Sequence, residues 1–237
     1  MNRGAMDGAR EPAPREGREP VRILLADDHP IVRQGLRSCL QGRGFEIAGE
    51  AASGEAAVEA VAALKPDVVL MDVRMPGMDG LEALRRIKRI APGVVVVMLT
   101  AFESETYLME AAVAGASGFL FKGCPAREIR ETILAVLSGE APPTNDWWKR
   151  VLAELRARVR AASGSAPPAS GLTPQEAEVM RHLALGMDNK AIARAMGLSY
   201  PTVRSHCSSA FRKLGVSDRL QAVLKGIREG WLRAEEE

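Results

Sequence analysis

Five short runs dominated by Val, Ile, Leu, Met and Ala alternate with five amphipathic stretches between residues 21 and 138. The runs fall at 21–26, 45–50, 67–71, 94–99 and 117–121, and the stretches at 30–41, 54–64, 80–90, 103–114 and 125–137. Runs of strand length, each followed by a helical pattern, predict a parallel, doubly wound five-stranded α/β sheet with helices on both faces. Local signals agree: Pro30 suits the first turn of a helix, and Asp79 with Glu82 has capping-box spacing. Ile129, Ile133, Val136 and Leu137 share one helical face.

In such a sheet, ligands sit at the carboxyl ends of the strands. Asp27 and Asp28 follow the first run and Asp72 the third, while Thr100 and Lys122 lie just past the fourth and fifth. Three carboxylates a few ångströms apart repel by several kcal/mol, taking an effective dielectric of about 20. A divalent cation between them removes that cost, and an all-oxygen ligand set favours Mg²⁺. The same cation neutralises an incoming phosphoryl group, so the chemistry suggested is phosphoryl transfer onto Asp72. The Thr100 hydroxyl can donate to a phosphoryl oxygen and the Lys122 ammonium can pair with it. Taken singly, Asp27 or Asp28 could cap the helix near Pro30, and Asp72 could open a loop; the joint pattern is what points to function.

Beyond residue 138 the pattern changes. Ala141-Pro-Pro breaks it, and Trp148, Val151, Leu152, Leu155 and Val159 then recur at helical spacing. This 147–160 helix is expected to pack between domains or to pair across a dimer. Ser163-Gly-Ser-Ala-Pro-Pro-Ala-Ser-Gly171 follows as a flexible linker, and 172–230 reads as short helices separated by Gly186, Gly197 and Gly215. Residues 189–208 read as helix, glycine turn, helix: Gly197 ends the first, Ser199 caps the second, and Pro201 sits in its first turn. In that second helix Val203, Cys207, Ala210, Phe211 and Leu214 form an apolar face. Arg204, Ser205, Ser208 and Arg212 project from the other side, which suits a DNA major groove.

At 237 residues the chain has room for two domains. A composition of 46% hydrophobic and 26% charged residues excludes wholesale disorder. Residues 21–139 carry 13 Lys/Arg against 15 Asp/Glu, and residues 171–230 carry 9 against 5. An acidic front joined to a basic rear fits a sensor coupled to a polyanion-binding part. There is no run of 18 apolar residues, and residues 1–20 are expected to be a disordered lead-in and not a secretory signal. Cys39, Cys124 and Cys207 follow no ligand spacing and are expected to be reduced thiols of a cytoplasmic protein.

Four segments carry a family resemblance: Leu25-Ala-Asp-Asp-His-Pro30, Met71-Asp-Val-Arg-Met-Pro-Gly-Met-Asp-Gly80, Thr100-Ala and Gly115-Ala-Ser-Gly-Phe-Leu-Phe-Lys122. Together they resemble the receiver domain of bacterial two-component response regulators, a flavodoxin-like fold, over residues 21–138. Leu172-Thr-Pro-Gln-Glu-Ala-Glu-Val-Met180, Asn189-Lys-Ala-Ile-Ala, Thr202-Val-Arg-Ser-His206 and Phe211-Arg-Lys-Leu-Gly-Val216 resemble the four-helix LuxR-type helix-turn-helix domain, taken as 172–233. The linker is then 139–171, and the whole is similar to the NarL/FixJ class. The resemblance implies that a sensor histidine kinase phosphorylates Asp72. It implies Mg²⁺ held by Asp27, Asp28, Asp72 and the Arg74 carbonyl, with Thr100, Phe119 and Lys122 as the phosphoryl-sensing switch. Phe119 lacks the hydroxyl of the Tyr common there, so it would act by packing, if it is not simply a core residue. Residues 74 and 102 flank the site and can tune hydrolysis.

By the same resemblance Arg204, Ser205 and Ser208 face base edges, while Thr202 and Lys213 lie near phosphates. Pro201 departs from a frequently charged position, and Cys207 replaces an aliphatic. The expected partners are the kinase, double-stranded promoter DNA and RNA polymerase, with no membrane, and a homodimer forms on phosphorylation. Such a dimer would read half-sites on the order of 34 Å apart. The protein is expected to be a transcription regulator and not an enzyme for an external substrate. The competing reading is a dimeric DNA-binding regulator whose receiver works without phosphorylation. A flavodoxin-like cofactor enzyme would need a phosphate-binding loop after the first strand, where this chain has acids. An acyl-homoserine-lactone receptor is excluded by the βα pattern.

Overall fold

The computed structural model describes residues 19–42, 44–101, 105–140, 151 and 171–232. Within them β1 (Val21–Ala26), β2 (Phe45–Ala51), β3 (Val68–Asp72), β4 (Val95–Thr100) and β5 (Gly118–Phe121) form one parallel sheet, ordered β2-β1-β3-β4-β5. Five helices alternate with them: α1 (Pro30–Leu40), α2 (Gly54–Leu64), α3 (Gly80–Ile90), α4 (Glu105–Ala114) and α5 (Ala126–Leu137). The strand order reverses direction at β1 and β3, so the loops after these two strands diverge and leave a crevice at their carboxyl ends.

Successive side chains of each strand enter opposite layers. Ile23, Leu25, Leu70 and Val97 meet Leu36 and Leu40 of α1 and Ile129 and Ile133 of α5. Leu24, Val69, Met71 and Met98 meet Val61 of α2, Leu84 of α3 and Leu108 of α4. Both faces are covered, which is why the strands lack a polar alternation. Leu137 departs from the expected stripe of α5 and is 37% exposed. At the helix's last residue it has drifted to the edge of the face set by Ile129, Ile133 and Val136. β3 and β4 each run one residue later than the apolar pattern suggests, because Asp72 pairs with Leu99 and Thr100 with Phe121 in the ladder.

Residues 171–232 hold α6 (Pro174–Ala184), α7 (Asn189–Met196), α8 (Tyr200–Leu214) and α9 (Arg219–Arg228). Thr173, Asp188, Ser199 and Asp218 cap them in turn, each side chain accepting a backbone N–H three residues on. Such caps contribute about 1 kcal/mol apiece. Gly197, at φ 64°, supplies the left-handed residue that ends α7. Val203, Cys207, Ala210, Phe211 and Leu214 are buried as the spacing predicts. Glu176 ties α6 to α8 from a nearly sealed position. Its carboxylate accepts from Thr173 N, Ser209 Oγ and Lys213 Nζ, each at 2.7 Å. Burial alone would raise its pKa, but the Lys213 ammonium and the Thr173 and Ser209 donors outweigh it and hold the group at about 2.

The two halves share a face. Gln221 Nε2 of α9 donates to the carbonyls of Ala112 (3.1 Å) and Ala116 (3.0 Å) at the end of α4. Lys88 Nζ of α3 donates to Val94 O at 2.7 Å and Ser217 Oγ at 3.0 Å. Ser217 Oγ also lies 3.4 Å from Ser117 Oγ. Burial lowers the Lys88 pKa, with Asp218 pulling the other way. The apolar cluster runs without a break from α2, α3 and α4 into α6, α8 and α9. Of the 147–160 segment only Val151 falls among the described residues, and it is buried in that cluster; the expected helix otherwise lies outside them, as do residues 1–18 of the 1–20 lead-in. No helix among the described residues is long and apolar enough to cross a membrane.

Glu176→Gln keeps the size of the side chain but removes the charge that three donors serve, so it should lower unfolding free energy by about 2–3 kcal/mol in urea titration. A depressed folded pKa contributes stability above the unfolded value of 4.5, and that contribution is lost as pH falls toward 2. Wild type should therefore lose stability more steeply than Glu176→Gln between pH 4.5 and 2.

Candidate functional site

β1 and β3 are neighbours in the sheet, and their ends bring Asp27, Asp28 and Asp72 together. Asp27 and Asp72 are buried, and Asp28 is about a quarter exposed. One ligand atom from each of Asp27, Asp28, His29 and Asp72 lies within 4.8 Å of all the others. Lys122 reaches in from just past β5. Its Nζ is 2.7 Å from Asp72 Oδ2, to which it donates, and 2.7 Å from Asp27 Oδ2 as a close ion pair. The Lys122 backbone N–H donates to Thr100 O at 2.6 Å, so the β4 and β5 ends are fastened together beside the acids. Thr100 is buried as the last residue of β4.

Burial raises the Asp72 pKa and the Asp27 charge adds to the effect; the Lys122 ammonium acts against both without cancelling them. Burial pulls Lys122 down, yet hydrogen bonding and attraction from Asp27 and Asp72 win and its pKa is raised. The pocket therefore carries more negative charge than one ammonium satisfies. Asp28 Oδ1 is buried and receives no hydrogen bond, although His29 Nδ1 lies 2.8 Å away. A buried, under-satisfied oxygen within a carboxylate cluster fits a small hard dication, and the Asp27, Asp28 and Asp72 oxygens supply the donor type Mg²⁺ prefers. His29 was missed in the sequence. It immediately follows the acidic pair, but an exposed imidazole after two acids has no periodicity to announce it.

The loop after β3 is shaped by a close approach. A Cβ on Gly80 would lie 1.9 Å from the Asp72 carbonyl oxygen, and the Gly80 N–H donates to Val73 O at 2.9 Å. Arg74 donates its backbone N–H to Asp72 Oδ1 at 3.3 Å, while its guanidinium sits 5.8 Å from the Tyr107 ring centroid in α4. Phe119 is fully buried and meets Phe121 edge-on at 6.4 Å. Residue 102 lies outside the described residues.

In the second half α8 exposes Ser205 and Ser208, with Thr202 and Arg204 half-buried. Thr202 Oγ1 is 2.7 Å from Ser199 Oγ at the helix start. Lys213, expected near a phosphate, donates to Glu176 within the fold and keeps its side chain partly exposed. The sequence offered no sign of that bond, because the partners are 37 residues apart. Tyr200 was also missed; its hydroxyl donates to Glu140 Oε1. All three cysteines are free thiols, and Cys207 is enclosed.

Two family models match the chain: the response regulator receiver domain over residues 23–134, and the bacterial regulatory proteins of the luxR family over residues 170–225. The transcriptional regulatory protein LiaR of Bacillus subtilis (strain 168) is 36% identical over 209 residues, spanning 88% of this chain and 97% of LiaR. Response regulator protein VraR of Staphylococcus aureus (strain NCTC 8325 / PS 47) is 35% identical over 214 residues, spanning 90% and 99%. Among solved structures, the two-component response regulator RcsB in its DNA complex matches at 27% identity and a TM-score of 0.51, covering 87% of this chain and 97% of that one. A LuxR-family response regulator from Aurantimonas sp. SI85-9A1 matches at 33% identity and a TM-score of 0.53, covering 57% and 97%.

The raised Asp72 pKa gives a stability test. A folded value above the unfolded 3.8 means that the native state favours the protonated acid, so this group's contribution declines as pH rises through that window. Asp72→Asn removes the disfavoured charge. In metal-free buffer at pH 7 its thermal midpoint should lie above wild type, with the difference vanishing near pH 3; a lower midpoint at pH 7 would contradict the electrostatic account.

Proposed function

The chain belongs to the two-component response regulators that join a receiver domain to a LuxR-type DNA-binding domain, and from that membership we propose how its own residues work. Asp72 is the phosphoacceptor. Its carboxylate attacks the phosphorus of a phosphohistidine on a sensor kinase; the new O–P bond forms as the P–N bond breaks, and the imidazole departs with the electron pair. The observation that carries this reading is the buried Asp72 carboxylate, 2.7 Å from Lys122 and beside Asp27 and Asp28. Asp27, Asp28, Asp72 and the Arg74 carbonyl would hold Mg²⁺, which supplies charge neutralisation for the carboxylates and the incoming phosphoryl oxygens. Lys122 pairs with a phosphoryl oxygen, and the Thr100 hydroxyl donates to another. Phe119, sealed in the core, follows by repacking. The regulator works in the cytoplasm, with a receiver at 21–138, a linker at 139–171 and a DNA-binding unit at 172–233 after an extension at 1–20.

The phosphoryl group adds a dianion next to Arg74 and Thr100. Arg74 stacks on Tyr107 near the start of α4, and Gln221 of α9 caps the end of that helix. A shift of α4 therefore loosens the second half of the protein, freeing it for homodimerisation and promoter binding, where RNA polymerase is the downstream partner. Arg204, Ser205 and Ser208 of α8 read base edges, and Thr202 meets a phosphate. Lys213 meets a phosphate with the ammonium hydrogens that Glu176 does not take. A dimer would span half-sites on the order of 34 Å apart.

Incubation with acetyl phosphate and Mg²⁺ should give a labile adduct of one phosphate by intact mass, mapping to Asp72 and absent from Asp72→Asn. No adduct, with DNA binding intact, would favour a regulator that works without phosphorylation. The α4 coupling has its own test. Gln221→Ala removes two bonds worth roughly 1 kcal/mol each, so the unphosphorylated protein should bind promoter DNA several-fold more tightly by fluorescence anisotropy. Unchanged affinity would remove α4 from the pathway.

A further inference from the structure

Tyr200 opens α8, the helix that presents Arg204, Ser205 and Ser208, and its hydroxyl is not left to solvent. It donates to the carboxylate of Glu140, at the start of the linker just past α5. Glu140 is delivered there by the turn that ends α5: its N–H donates back to Ala135 O at 2.8 Å, and Gly139 takes a φ of 73°. Gly139 also lies against α8, since a Cβ there would be 2.9 Å from the Phe211 ring. The carboxylate is thus fixed against α8 by backbone geometry.

Tyr200 and Arg204 are four residues apart and so lie on the same face of α8. Burial and Glu140 push the Tyr200 hydroxyl up to about 12, with Arg204 near enough to pull the other way. It remains a proton donor at any physiological pH. A phenol donor beside an arginine at the edge of a groove-reading helix has the chemistry of a phosphodiester contact, since Tyr and Arg side chains both bind DNA backbone oxygens. The acceptor now occupying that place is an oxyanion too.

We propose that Tyr200 is a DNA-backbone contact and that the Glu140 carboxylate holds the place of a DNA phosphate in the free protein. The inference rests on the reading of α8 as the DNA-binding helix. One hydroxyl proton serves one acceptor, so the Tyr200–Glu140 bond and a Tyr200–phosphate bond exclude each other. Glu140 would also repel a phosphate arriving at the same position. DNA binding then requires the α5 terminus to withdraw from α8, which makes the position of Glu140 a direct determinant of affinity.

The test uses full-length protein and anisotropy of labelled duplexes, one containing a bound promoter site and one of scrambled sequence. In a Glu140→Ala background, where Tyr200 has no bond to Glu140 to give up, Tyr200→Phe should weaken binding on the order of threefold to tenfold on both duplexes alike, as loss of one backbone hydrogen bond does. Glu140→Ala, which removes the acceptor as well as the charge, should tighten binding by a similar factor in wild type, and by clearly less in the Tyr200→Phe background. Equal tightening in both backgrounds would reduce Glu140 to a general charge and overturn the proposal, as would no weakening by Tyr200→Phe in the Glu140→Ala background. Arg204→Ala serves as the control. If it leaves promoter preference unchanged, the assignment of α8 itself fails; if it relaxes that preference while Tyr200→Phe is silent in the Glu140→Ala background, only the Tyr200 contact fails. Tyr200→Leu covers the case in which Phe unfolds the unit: it also removes the donor, and a folded Leu variant of the Glu140→Ala protein that binds as tightly as Glu140→Ala itself would leave the phenol with no part.

Discussion

One ammonium between two buried carboxylates sets the terms for the receiver half. Lys122 Nζ stands 2.7 Å from both Asp27 and Asp72, and Asp28 adds a third acid whose inner oxygen receives no hydrogen bond. Two negative charges within a few ångströms cost several kcal/mol even at an effective dielectric of about 20, and one Lys offsets only part of this. The pocket is therefore stable enough to fold and unsatisfied enough to attract further positive charge. Every other feature of the crevice serves that balance. The parallel sheet delivers the acids from adjacent strands, the Lys122 N–H ties β5 to β4 at Thr100, and the bare Cα of Gly80 lets α3 start almost on top of the Asp72 carbonyl.

Much of this was legible in the sequence because it depends on local patterns. Apolar runs of strand length gave the sheet, and acids at their carboxyl ends gave the crevice before any coordinates were needed. Gly197 and Ser199 fixed the turn between α7 and α8 because left-handed backbone and side-chain caps each have few suitable residue types. The one-residue offsets at β3 and β4 escaped, since apolarity does not register whether a polar residue continues the ladder; Asp72 and Thr100 do. What stayed hidden joins distant parts of the chain. Lys213 was expected near a DNA phosphate, and nothing in the sequence showed that Glu176 also accepts from it. Gln221 belongs to no motif in the sequence, yet it caps α4 more than 100 residues earlier. Tyr200 and Glu140 are 60 residues apart, and neither belongs to a pattern that would pair them.

The contact between Gln221 and the end of α4 has a quantitative consequence for anything that recognises α9. That surface cannot serve an outside molecule while it covers Ala112 and Ala116. The intrinsic dissociation constant is then divided by the fraction of molecules whose halves have separated, so binding weakens. Each 1.4 kcal/mol favouring closure weakens the observed affinity about tenfold. Small changes to a seam of two amide bonds, a Lys and two serines can thus reset the concentration at which the protein begins to act, without touching the acids or α8.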